Sequence, residues 1–176
     1  MFDKQYKFTG SHADMVDKLT KEIDEVYKVT LFDYKYEVYI NAPIIGYLFN
    51  HKGIKNNIKD QKDVNIFAEQ VIGISEQLKY ILRLILILDK NYEPNEEIRL
   101  DKAFRKLGQD PKDLELFDAY VLGGVEILYK NLVADPVTDS SEYINRMYEF
   151  MEEFNLRFNS QISNKDILEL CNSRND

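Results

Sequence analysis

Apolar residues stand at Val64, Phe67, Val71, Ile74, Leu78, Ile81, Ile85 and Leu88, at steps that alternate three and four. That rhythm places them on one face of a long helix, predicted over about 64–89. From Ile81 to Leu88 every residue except Arg83 is apolar. A helix of that kind needs neighbours around most of its circumference, so the stretch is expected at the centre of a helical bundle. On the helical wheel Arg83 falls opposite the Ile81/Ile85 seam, in line with Glu76, Lys79 and Lys90, as a narrow polar stripe.

Weaker stripes flank this one. Val16, Leu19, Ile23 and Val26 predict a first helix over about 11–27, with Ser11 as its N-cap. Leu100, Phe104 and Leu107 mark the buried side of a helix capped by Asn95 and stopped by Gly108. Asp110-Pro111 is an N-cap followed by proline at the first helical position. Leu114, Phe117, Val121, Val125, Leu128 and Leu132 carry the helix that follows to about Leu132. Gly123-Gly124 inside it costs about 1 kcal/mol per glycine relative to alanine. Close approach of another helix, most simply the 64–89 helix, would compensate. Asp139 caps a last helix carrying Ile144, Met147, Met151, Phe154 and Phe158.

Three segments read less regularly. Residues 1–10 look extended and loosely packed against the first helix. Tyr34, Tyr36, Val38 and Ile40 alternate like a strand, but Pro43 opposes a central strand and no partner strand stands out. Two short helices, near 34–41 and from Pro43 to about Asn50, are the reading preferred. His51 to Lys62 is a polar connector, and Asp63 is placed to cap the helix after it. Together these elements predict an all-α, single-domain bundle of about six helices around the 64–89 helix, with residues 1–160 as the domain and 161–176 as a polar tail.

Composition narrows the function. Hydrophobic residues make up 44% of the 176, enough for a full core. A net charge of −8 disfavours direct binding to nucleic acid or anionic lipid. No apolar run approaches the roughly 20 residues of a membrane span. The amino-terminal residues lack an apolar signal segment, so a cytoplasmic protein is expected. Cys171 is the only cysteine, which excludes an intrachain disulfide.

Catalytic motifs are missing from the sequence: there is no Gly-x-Ser-x-Gly elbow and no phosphate-binding glycine loop. His12 and His51 are the only histidines, and neither lies in a Glu-x-x-His pair. His12 is expected to be solvated. Glu22 and Glu25, and Glu149 and Glu152, have the i,i+3 spacing with which helical carboxylates hold magnesium around a phosphate chain. With 31 acidic residues such spacing also arises by chance. Lys52, Lys55 and Lys59 form the most basic segment, though without the arginines or aromatics that read bases. The tyrosines, Tyr34, Tyr36 and Tyr39 among them, suit a protein interface because each combines a large apolar ring with a polar tip.

The function expected is that of a non-catalytic interaction protein, an accessory subunit, adaptor or inhibitor with a protein partner and with homo-oligomerisation left open. No cofactor is expected. One alternative is a magnesium-dependent all-α nucleotide phosphohydrolase built on the four glutamates. The other is an acidic decoy of a nucleic-acid-binding protein, centred on residues 133–160.

Overall fold

The computed structural model describes residues 1–24, 28–56, 63–135 and 139–158. The chain forms two compact units, Met1–Pro136 and Val137–Asp176. Helices dominate, as the hydrophobic rhythm predicts. The first unit holds α1 (Gly10–Leu19), α2 (Lys35–Leu48), α3 (Ala68–Gly73), α4 (Ser75–Leu88), α5 (Glu96–Phe104) and α6 (Pro111–Leu132). Among the described residues four short strands make two antiparallel ribbons: β1 (Tyr6–Phe8) with β4 (Val64–Ile66), and β2 (Glu22–Asp24) with β3 (Val29–Thr30).

The 64–89 stretch is divided rather than continuous. Its first three residues form β4, whose Val64 and Ile66 are buried while Asn65 points out. Val64 satisfies a period of two as well as one of 3.6, which is why it reads as helical in isolation. Phe8 lies opposite Val64 and Tyr6 opposite Ile66, so the amino-terminal residues are extended as predicted but firmly paired. Asp63 takes the ammonium of Lys7 at 2.9 Å instead of capping a helix. A second break falls at Ile74 (φ −108°, ψ 9°), between α3 and α4.

The most extensive packing is between α2 and α6, not around α4. Ala42 and Gly46 on α2 face Tyr120 and Gly124 on α6. A Cβ built on Gly124 would lie 1.8 Å from the Ala42 carbonyl oxygen, and one on Gly46 would lie 2.1 Å from that of Tyr120. The predicted close approach at Gly123-Gly124 is therefore present, but to α2 and to the chain at His51–Gly53. Pro43 lies inside α2, which is one continuous helix rather than two. It leaves the Tyr39 carbonyl without its helical donor, and the burial of Ala42, Pro43 and Gly46 against α6 outweighs that loss.

Both helix caps expected around α5 and α6 are present. Asn95 Oδ1 accepts from the backbone N–H groups of Glu97 and Ile98, and Asp110 Oδ1 accepts from that of Lys112. The helix predicted to stop at Gly108 already ends at Phe104, with Arg105 as its C-cap, and Gly108 takes φ +70° in the turn that follows. The buried face of α5 differs from prediction. Arg99 and Ala103 turn inward, whereas Leu100 and Phe104 are 40% and 66% exposed. Arg99 donates to the carbonyls of Ile87, Glu93 and Pro94. Its charge sits against the negative end of α4, which stabilises a buried guanidinium. The first helix is also shorter than predicted, ending at Leu19, with Glu22 and Ile23 passing into β2.

The second unit contributes α7 (Ser141–Phe158), an amphipathic helix with no fully buried residue. The predicted polar tail, 161–176, lies outside the described residues.

Candidate functional site

Of the polar connector predicted over His51 to Lys62, the part from His51 to Asn56 is a strap fastened at four of its six residues, and residues 57–62 lie outside the described residues. His51 Nε2 lies 2.6 Å from Glu126 Oε2 on α6. Lys52 Nζ lies 3.4 Å from Asp89 Oδ2 and 4.8 Å from the centre of the Tyr120 ring. The Gly53 N–H donates to the Ala119 carbonyl at 2.8 Å, with Gly53 pressed against Leu122 and Gly123. Asn56 Oδ1 accepts from the Ser11 N–H, and its carbonyl accepts from Thr9 Oγ1, so the strap ends by capping α1. Side chains and backbone both anchor this segment, which explains how a polar stretch holds one shape.

Both histidines of the chain meet at Glu126. His12 Nε2 is 2.8 Å from Glu126 Oε1 and the ring is 1% exposed, so its predicted solvated state is corrected. An ionised carboxylate only accepts, so each Nε2 carries the hydrogen. The buried His12 Nδ1 has no hydrogen-bond partner among the described residues. The sequence held one signal for this: His12, Val16 and Leu19 share one helical face. Glu126 had no signal of its own. Each imidazole addresses a different oxygen, and among the described residues no three of His, Cys, Asp and Glu are grouped so as to hold a metal ion.

A second buried network lies where α4 ends. Asp89 Oδ1 accepts from the N–H groups of Asn91 and Tyr92, and Oδ2 accepts from the Tyr120 hydroxyl at 2.7 Å. Burial raises the Asp89 carboxyl. The hydrogen bonds from Tyr120 and Tyr92 and the charge of Lys52 outweigh it and hold the group below the usual value. The Tyr92 hydroxyl donates to Asp113, which also receives Lys102 at 2.7 Å. Burial first, then the Asp113 carboxylate, pushes Tyr92 up to about 12. Apart from Asp113 Oδ2, which has no hydrogen-bond partner among the described residues, these groups bond one another, the arrangement of a structural network.

The outer side of α4 is different in kind. Tyr80, Leu84 and Leu88, one turn apart, are 60%, 38% and 50% exposed. Beside them an open groove of about 500 Å³ runs between α2 and α4, lined by Ile40, Ile44, Tyr80 and Ile81 with Asn41, Glu76 and Gln77 at its edges. Ridges at i, i+4, i+8 are the surface by which helices interlock with other helices. The charges at its edge are mixed: Lys79 hydrogen-bonds Glu76 at 2.6 Å and, with Arg83, holds that carboxyl below its usual value.

The residues expected to form sites are dispersed among other roles. Glu22 is exposed on β2, not on a helix, and Glu25 lies outside the described residues. Glu149 and Glu152 are exposed on α7, where Glu152 accepts from Tyr148. Among the interface candidates, Tyr39 is corrected. It is 2% exposed and stacked on Tyr6 at 4.1 Å, and burial drives its hydroxyl far above the ordinary range. Tyr34 is exposed and stacks on the half-buried Tyr36 at 5.2 Å. Lys52 is committed to Asp89, Lys55 is exposed, and Lys59 lies outside the described residues. Among the described residues no helix is long and apolar enough to cross a membrane.

Comparison with protein-family models, with curated proteins and with solved structures finds no match to this chain.

Proposed function

We propose that this protein is a non-catalytic interaction module that receives a partner protein on the outer ridge of α4 and the groove beside it. The observation that carries the reading is the exposed row Tyr80, Leu84 and Leu88 on a helix whose opposite side is core. Exposed apolar side chains are ordinary when scattered, but aligned along one helix beside an apolar groove they match the way helical surfaces take up partner helices. Tyr80, which belongs to the row and also lines the groove, supplies a large contact area with a polar tip. The anchored polar networks support the reading indirectly, because most of their carboxylate and imidazole atoms are already engaged with one another.

The test is affinity capture of the tagged protein from its native host, with nuclease, beside a variant carrying Tyr80→Ser and Leu84→Ser. A stoichiometric protein captured by the natural sequence and lost with the variant is the expected result. Equal capture by both overturns the assignment of the face, and the absence of any specific protein overturns the interaction reading.

A further inference from the structure

We draw no further inference here: the strongest candidate, the outer ridge of α4 with its groove against α2, belongs to the surface already described, and with Glu76 balanced by Lys79 and Arg83 nothing in the structure shows what chemistry covers it.

Discussion

Glu126 gives one oxygen to each imidazole, so truncating it strands a buried donor on His12 and a half-exposed one on His51. Glu126→Ala is expected to lose about 1–3 kcal/mol in urea unfolding, the range for leaving a buried polar group unpaired. His51→Ala is expected to lose less, because water replaces the imidazole at that end. Equal losses would contradict the assignment of His12 as the buried partner. Asp89 gives a pH signature. Its carboxyl is held below the ordinary aspartate value in the folded state, so the stability it supplies is present above that ordinary value and is lost as pH falls through the lower folded one. Asp89→Asn is therefore less stable than the natural protein at neutral pH, and the gap closes in strong acid. A gap that stays constant with pH would remove the ionised carboxylate from the account. Tyr92 titrates the other way: its hydroxyl is raised to about 12, so its contribution is complete below the ordinary tyrosine value and fades as pH rises through about 12. Ultraviolet titration of Tyr92→Phe should lose one late-ionising tyrosine.

Helix pairing turns on two glycines that behave oppositely to a third. Gly124→Ala improves intrinsic helix propensity by about 1 kcal/mol, yet its methyl group would press into the Ala42 carbonyl. The net result expected is destabilisation by about 1–3 kcal/mol, the ordinary scale of overpacking, and Gly46→Ala should behave alike. Gly73, at the end of α3, has nothing within 4 Å of an added Cβ; Gly73→Ala should be neutral or gain up to about 1 kcal/mol. Thermal unfolding of the three variants checks the sign at each position. The same elements explain how far the sequence could be read. The caps at Asn95 and Asp110 and the close approach at Gly124 were legible because each is written in local chemistry, whereas α5 stops at Phe104, before the glycine expected to end it. The partner of Gly124 was not, since α2 is chosen by a long-range fit that no local pattern records. Val64 fitted two periods at once, and only Phe8, far away in sequence, decides between them. On α5 the apolar rhythm pointed to Leu100 and Phe104, while the charge on Arg99 was satisfied inside by carbonyls.

On the scale of the whole protein, most buried ionisable groups already have partners, and the outer side of α4 is one of the surfaces with apolar side chains to offer, where three of them stand in a row on one helix beside a groove. The outer ridge was half legible. The sequence marks α4 as apolar on nearly every side, which was read as a demand for neighbours within the chain. The fold supplies those neighbours on one side and leaves Tyr80, Leu84 and Leu88 outside. Substitution of Tyr80, the most exposed of the three, should change stability by no more than about 0.5 kcal/mol, which separates a docking role from a folding one. The decisive measurement is the affinity of the purified partner for the natural protein and for Tyr80→Ser, by calorimetric titration, with unfolding curves recorded on the same samples. A loss of affinity of at least about tenfold, which corresponds to about 1.4 kcal/mol, with an unchanged unfolding midpoint is the result predicted. Equal affinity for the two proteins would contradict the claim that the outer face of α4 is where the partner binds.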